Sequence, residues 1–336
     1  MDTNLRPQVL VGLMSWNQRG ATLRCLDSLR QVKFPKLKVV LVDNGSRDGL
    51  SDNVRAHYPE VTLIVNASNR GCAGGRNDIL NFFLSTDIEY GMFLDNDAVV
   101  LDDCFETLIR EINRAPDIGV VGPKVYFMDK PTFFWSRGGA QFNPWKGGFE
   151  RSGNREEDRG QYEPFEEVDT VSGGFTFFKR AVALSVPQIT ESYFMYYEDS
   201  DWCFKVRQAG FKLIASKNAR ILHESSSAFG MGSPLFYYFR TRNLLLFMAR
   251  NASWYFPLFL LRYLCWILPN TLLSMGWSEK KNQGRAVLFG LWDFLWGKFF
   301  DCPHASLFSK PEVTKPGAWI SMRKAEENEA GIGIQG

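Results

Sequence analysis

Histidine is scarce in this chain, three in 336 residues, and the six cysteines include no Cys-x-x-Cys pair, so the material for a zinc cluster is missing. The cysteines, at positions 25, 72, 104, 203, 265 and 302, follow no repeated spacing, and no signal peptide precedes the first apolar run. They read as reduced thiols of a cytosolic protein. No Gly-x-Gly-x-x-Gly sits between a strand pattern and a helix pattern, which argues against a dinucleotide-dependent oxidoreductase. Val11–Ala21 contains no lysine, so the lysine-bearing glycine loop of a sugar nucleotidyltransferase is absent there. Apolar stretches are short as well. Between Asn251 and Trp277 the longest uncharged runs are 11 and 16 residues, divided by Arg262, below the roughly 20 that a spanning helix needs.

What is present is a large apolar content. With 45% hydrophobic and 15% aromatic residues the chain can bury a sizeable core, and disorder is excluded for most of it. Charge is unevenly spread: residues 1–230 carry 27 Lys and Arg against 30 Asp and Glu, whereas residues 231–300 carry 8 against 2. Those 70 residues also hold 18 of the 49 aromatics, interleaved with Leu in apolar blocks. Basic and aromatic together fit an anionic membrane surface better than nucleic acid. Pro257 and Pro269 are expected to break or kink a helix there, so the segment should lie in the interface and not span.

Strand patterns recur at Gln8–Leu13, Leu37–Val42, Val61–Val65, Met92–Leu94, Val120–Phe127, Val168–Phe178, and Phe211–Ala215 with Ala219–Leu222. Helix patterns fall between them, with Leu23, Leu26 and Leu29 on one side of the first. Phe105, Leu108, Ile109 and Ile112 recur at helical spacing in another, after an Asp103-x-x-Glu106 capping box. The alternation predicts an α/β fold with a mostly parallel, doubly wound sheet. Lys130–Asp169, rich in Gly, Pro and charge, should form a hairpin and a mobile loop.

Three apolar runs break abruptly into acid: Asp43 in KVVLVDNGS, Asp95-Asn96-Asp97 in YGMFLDNDAVV, and Glu198-Asp199 in FMYYEDSDWC, with His223 ending a fourth. Carboxylates at the ends of buried parallel strands lie at the carboxyl edge of the sheet, where open α/β folds bind ligands. Two carboxylates and an imidazole can hold a divalent cation that neutralises a diphosphate, and the imidazole favours Mn2+ over Mg2+. A further carboxylate is then spare to act as a base. Glu198-Asp199 should precede a helix starting at Ser200, and Ser172-Gly173-Gly174 should bulge a strand.

In order, SWN, VVLVDNGSRDG, NRGCAGGRN, FLDNDAVV, SGGFTFFKR, FMYYEDSDWCFKVRQAGF, ILHESSS and YYFRTRN resemble glycosyltransferase family 2, in particular its rhamnosyltransferase-like bacterial branch, from about Val9 to Arg250. The resemblance implies a GT-A fold, a nucleoside diphosphate sugar linked to uridine or deoxythymidine, a divalent metal, and inversion at the anomeric carbon. It implies Asp199 as the base with Glu198 beside it, and Asp97, His223 and Asp95 at the metal. Donor binding is implied for Ser15, Asp43, Asn44, Ser46, Arg70, Gly71, Gly74, Asn77, Asp95 and Asn96. Ser172, Gly173, Gly174 and Trp202 are assigned to the acceptor, a glycan or lipid-linked glycan. The QxxRW motif and multiple spanning helices of the family's processive synthases are missing, which disfavours repeated polymerisation. The alternative is a catalytically silent nucleotide-sugar or glycan-binding module, and retention of Asp199 beside Asp-Asn-Asp speaks against it. The chain is expected to divide into a catalytic domain (1–230), a membrane-associating helical region (231–305) and a polar tail (306–336), and to sit in the cytoplasm on the inner face of a bacterial cell membrane.

Overall fold

The apolar runs form strands whose two faces are both covered by helices. A computed structural model describes residues 8–101, 103–150, 153–162, 166–224, 232–275 and 281–308. All but three residues of the expected tail, and the first two of the polar stretch 151–160, lie outside the described residues. The first half runs β1 (Val9–Ser15), α1 (Arg19–Gln31), β2 (Leu37–Asp43), α2 (Leu50–His57), β3 (Thr62–Val65), α3 (Gly71–Leu84), β4 (Tyr90–Asp95), β5 (Ala98–Val100) and α4 (Cys104–Ile112). Next come β6 (Ile118–Phe127), β7 (Lys130–Ser136), β8 (Gln141–Asn143), β9 (Gly148–Glu150), β10 (Glu166–Glu167), β11 (Phe175–Lys179) and α5 (Arg180–Ser185). The chain continues through α6 (Glu198–Gln208), β12 (Lys212–His223), α7 (Pro234–Asn251), α8 (Phe256–Arg262), α9 (Leu268–Ser274), α10 (Lys281–Leu295) and α11 (Ala305–Phe308).

Alternation along each strand divides the core into two layers. Val9, Val11 and Leu13 of β1 and Leu41 of β2 pack with Leu26 and Leu29 of α1 and Phe105 and Leu108 of α4. Leu10, Val40 and Val42 point the other way, onto Leu80 and Phe83 of α3, Val182 of α5 and Val206 of α6. The sheet order is β3-β2-β1-β4-β11-β6-β12-β10, with β5 beside β12 and β7 beside β6. Strands β3, β2, β1 and β4 are parallel, as are β6 and β12, but β11 runs antiparallel to both neighbours. The sheet is therefore mixed. The reason is topological: the excursion through β7 to β10 leaves and returns at the same edge, so the strand that re-enters must run backwards.

Several local expectations change. The 168–178 run forms a strand only from Phe175, and α6 begins at Glu198, so the acidic pair lies in its first turn. The Asp103–Glu106 capping box does not form, because Asp103 sits at φ 61° with no side-chain cap. Contacts also cross the expected boundary at residue 230. Helix α7 buries Tyr238, Phe239, Arg242, Asn243 and Leu245, and Asn251 at its end donates to Asp201 of α6 at 2.9 Å.

Neither proline stops the helix that follows. Pro257 occupies its first turn, where no N–H is needed, and the α8–α9 junction is a single π turn, Tyr263–Ile267. Bonding to i+5 there skips the position at which Pro269 offers no donor. The result is one continuous rod, and Phe256–Leu273 is, among the described residues, the one helix long and apolar enough to cross a membrane by length and composition.

Candidate active site

The parallel register brings the strand ends together. Ser15 of β1 is level with Asp43 of β2, and Met14 with Asp95 of β4. His223, at the end of β12, is level with Phe127 of β6 and pairs with Ala98 of β5. Because β11 is antiparallel it starts where the others finish, which delivers Ser172–Gly174 to the same edge, and Asp95 N donates to Gly174 O at 2.8 Å.

Asp95, Asp97 and His223 each offer a ligand atom within 4.8 Å of the others. His223 Nε2 lies 3.0 Å from Asp97 Oδ1, while its buried Nδ1 has no hydrogen-bond partner. Burial pulls the His223 pKa down, but the hydrogen bond and charge of Asp97, then the Asp95 charge, outweigh it and leave the imidazole more basic than usual. Burial pushes the Asp95 carboxyl up; Arg76 and His223 pull it down and Asp97 adds to the rise. Two carboxylates and an imidazole converging in this way suit Mn2+. The edges of Trp135 and Phe175 hold the ring plane of His223, with centroids at 4.7 and 5.0 Å.

Asp199 faces this cluster across Gly173–Gly174. Its Oδ2 accepts from Gly173 N at 2.9 Å and its Oδ1 from Ser200 N at 2.7 Å, which fixes the carboxylate and leaves lone pairs for another donor. A Cβ on Gly174 would stand 2.1 Å from the Asp95 carboxyl, and one on Gly173 2.6 Å from Asp199 Cβ. Only bare backbone fits between the two carboxylates. The glycines thus serve the acids directly, and an acceptor contact of their own is not needed to explain them. Glu198 is buried, with Oε1 2.6 Å from Arg76 Nη1 and Oε2 unpartnered. Burial, and next the Asp199 charge, push its pKa above the ordinary glutamate range, against the pull of Arg76. Arg76, itself buried, also reaches to 3.8 Å from Asp95. It ties the donor side of the cleft to the acid pair.

The remaining predicted donor residues divide. Asp43 is buried, accepting from Ser46 N at 2.8 Å and from the Ser51 hydroxyl, and Ser46 Oγ accepts from Asn17 N at 2.9 Å. Both order the loops at the ends of β1 and β2. Asn96 reaches inward, donating to Thr22 Oγ1 at 2.8 Å and toward Ser15 Oγ at 3.4 Å, so Ser15 and Asn96 brace the turn that carries Asp95 and Asp97. Asn44 is spent on the next loop: it donates to Asn69 Oδ1 and Gly71 O, both at 3.0 Å, and accepts from Arg70 N and Asn66. Asn77 is likewise committed to Ile189, and Arg70 to Asp78 and Glu191.

The helix entry at Gly71, expected at the donor, is tied up internally: Gly71 N goes to Asn69 Oδ1 and Ala73 N to Phe194 O. Gly71 adopts φ +71° with Phe194 O 2.4 Å from where a Cβ would be, and Gly74 makes room for the Arg70 side chain. Trp202 is a correction: it is 2% exposed, donates to Val186 O at 3.1 Å and packs on Phe93 and Phe178, so it is core and not acceptor wall.

Arg76 and Trp135 were not foreseen, nor was the buried pair Arg242–Asn243 of α7. Signals existed. Arg76 lies in NRGCAGGRN, which reads as a glycine loop, and the pair ends YYFRTRN, polar residues in an otherwise apolar helix.

The sequence pattern of glycosyl transferase family 2 matches residues 11–185. An N-acetylglucosaminyl-diphospho-decaprenol L-rhamnosyltransferase of Mycobacterium tuberculosis (strain ATCC 25618 / H37Rv) is 24% identical over 262 residues, 69% of this chain and 81% of that protein. The dTDP-rhamnosyl transferase RfbF of Shigella flexneri is 25% identical over 283 residues, 81% of this chain and 89% of its own length. Among solved structures, mannosyltransferase PcManGT from Pyrobaculum calidifontis, in complex with GDP-Man and Mn2+, superposes with a TM-score of 0.54 at 17% identity. The match covers 88% of this chain and 89% of that one, a likeness of fold.

Proposed function

The chain belongs to glycosyl transferase family 2, the inverting GT-A class that moves a sugar from a nucleotide sugar, and we propose that its sugar is rhamnose, carried on dTDP, and its acceptor a hydroxyl of a lipid-linked glycan. The observation that carries the reading is the Gly173–Gly174 backbone wedged between Asp95 and Asp199, which sets a cation-type cluster and the hydrogen-bonded Asp199 carboxylate on opposite sides of one cleft. The dTDP-linked rhamnose is supported by the likeness to the Shigella flexneri dTDP-rhamnosyl transferase, and the lipid-linked acceptor by the likeness to the Mycobacterium tuberculosis N-acetylglucosaminyl-diphospho-decaprenol L-rhamnosyltransferase.

In this reading Asp199 takes the proton of the acceptor hydroxyl. The acceptor oxygen bonds to the anomeric carbon from the face opposite the leaving group, the bond from that carbon to the diphosphate oxygen breaks, and dTDP departs with the electron pair. A divalent cation held by Asp95, Asp97 and His223 would neutralise charge on the diphosphate. Arg76 pairs with Glu198 and reaches toward Asp95, so it links the acid pair to the cation side. Purified protein with Mn2+, screened against UDP-, dTDP- and GDP-linked sugars, should release nucleoside diphosphate fastest from dTDP-rhamnose. Preferential turnover of another donor would overturn the sugar, and no release from any donor would favour a binding module.

The membrane assignment rests on the rod from α8 to α9 and on α10. Leu258, Leu261, Trp266 and Leu273 of the first, Leu288, Trp292 and Leu295 of the second, and Trp296 just after it, are exposed. Phe259 and Tyr263 anchor the rod to the body, buried with Phe247 and Tyr255, which favours lying on the bilayer over crossing it. Attachment to the inner face of the cell membrane would place the site beside a lipid-linked acceptor. Each Lys or Arg near an anionic surface adds about 1 kcal/mol, so the protein should pellet with anionic vesicles, less with neutral ones, and be released by high salt or carbonate. A requirement for detergent under both conditions would show that the rod spans.

A further inference from the structure

The loop that leads into the acidic pair is held in an unfavourable conformation from outside. Phe194, Tyr196 and Tyr197 have φ of 62°, 63° and 71°, positive values that non-glycine residues avoid, and Tyr197 is the residue directly before Glu198. Such values persist only where neighbours over-determine them.

Those neighbours are the two fully buried polar residues of α7. Asn243 Nδ2 donates to Tyr193 O, Met195 O and Tyr196 O at 2.8, 2.6 and 3.0 Å. Arg242 Nη2 donates to Tyr193 O at 3.1 Å and toward Ser192 O at 3.4 Å, and its Nε donates to Asn243 Oδ1 at 3.0 Å, which fixes the amide's orientation. Phe194 O accepts from Ala73 N at 3.1 Å. Five consecutive carbonyls, Ser192 to Tyr196, are turned inward and supplied with donors. Arg242 also binds Phe300 O and Asp301 O, at 2.8 and 2.9 Å, so one guanidinium clamps the segment after α10 to the loop before α6.

We infer that Arg242 and Asn243 are positioning residues for the transfer step: they hold residues 192–197, with their three positive-φ residues, in the conformation that aims Asp199 at the cleft, and they act through that loop without touching either substrate. The inference rests on the reading of Asp199 as the base. A lysine cannot replace the arginine, since a single ammonium does not reproduce a planar fork that reaches five oxygens at once. The arrangement also gives α7 a reason to bury two polar side chains in an aromatic core, where unmatched donors would be costly.

The test compares the wild type, Asn243→Asp, and Asn243→Asp combined with Tyr196→Gly, because glycine accepts a positive φ without help. Asn243→Asp should lower kcat at least about tenfold while the donor Kd stays within about threefold, the signature of a lost reacting geometry. Hydrogen exchange at the amides of residues 194–200 should rise about tenfold or more, with the strands β1 and β4 unchanged. Adding Tyr196→Gly should recover part of the lost kcat. Unchanged kcat and exchange would overturn the proposal. So would a Kd that rises as kcat falls, with exchange rising across the sheet, since that marks a purely structural pair. If Asn243→Asp does not fold, Arg242→Lys is read the same way. Exchange needs no turnover, so a wild type inactive on every sugar nucleotide would sink the enzymatic reading while the loop measurement still decides this one.

Discussion

Replacing Asp199 by asparagine should lower kcat by roughly 100- to 10,000-fold while leaving Mn2+ and donor affinity near wild type, as the loss of a general base does. The change keeps shape and removes charge. Asparagine can still accept from Gly173 N or from Ser200 N through its one oxygen, so the local cost is about one hydrogen bond, on the order of 1 kcal/mol. What it cannot do is take a proton. Glu198→Gln is the informative companion. The Glu198 carboxylate is already closed off by burial and by Arg76, so the variant should perturb the positioning of its neighbours and leave proton transfer to Asp199. Steady-state kinetics with dTDP-rhamnose and direct donor binding decide between them. Turnover near wild type in Asp199→Asn, together with a collapse in Glu198→Gln, would move the base to Glu198.

The second large effect is expected at the cation cluster. His223→Ala and Asp97→Asn should each weaken Mn2+-dependent donor binding by about 100-fold, some 3 kcal/mol, because each removes one of three converging ligands. Stability gives an independent reading. A ligand that binds only the folded state at 100 times its Kd stabilises by about 2.7 kcal/mol, so Mn2+ should raise the wild-type melting temperature and leave that of either variant unmoved. Calorimetric titration and melting curves with and without Mn2+ check both. If the two variants titrate and melt with Mn2+ as the wild type does, the cation is held elsewhere or not at all.

How much of this could be read in advance depends on the range of the interactions concerned. The carboxylates at the strand ends were legible because each depends on a local event, a buried apolar run that breaks into charge. The parallel register then brings Asp43, Asp95 and His223 to one edge. The side chains expected at the donor are committed to contacts within the protein that the sequence does not announce. Asn44, Asn77 and Arg70 lie in loops and helices near the cleft, and nothing in the sequence says that their partners are Gly71, Ile189 and Glu191 and not a ligand. Trp202 failed for the same reason: proximity to Asp199 in sequence places it one turn round a helix, on the face that packs against Phe93.

From the amino-acid sequence alone came the α/β class, the order of strands and helices, the acids at the carboxyl edge, and the basic aromatic character of the last third. These rest on periodicity and composition, which are properties of neighbouring residues. Tertiary structure alone decided that β11 runs backwards, that the two glycines before it part Asp95 from Asp199, that Arg76 joins the acids across 122 positions, and that the end of α7 bonds to α6. Each of those is a contact between segments far apart in the chain, set by how layers close on one another. A hydrogen bond between Asn243 and Tyr196 leaves no periodic trace in the sequence of either.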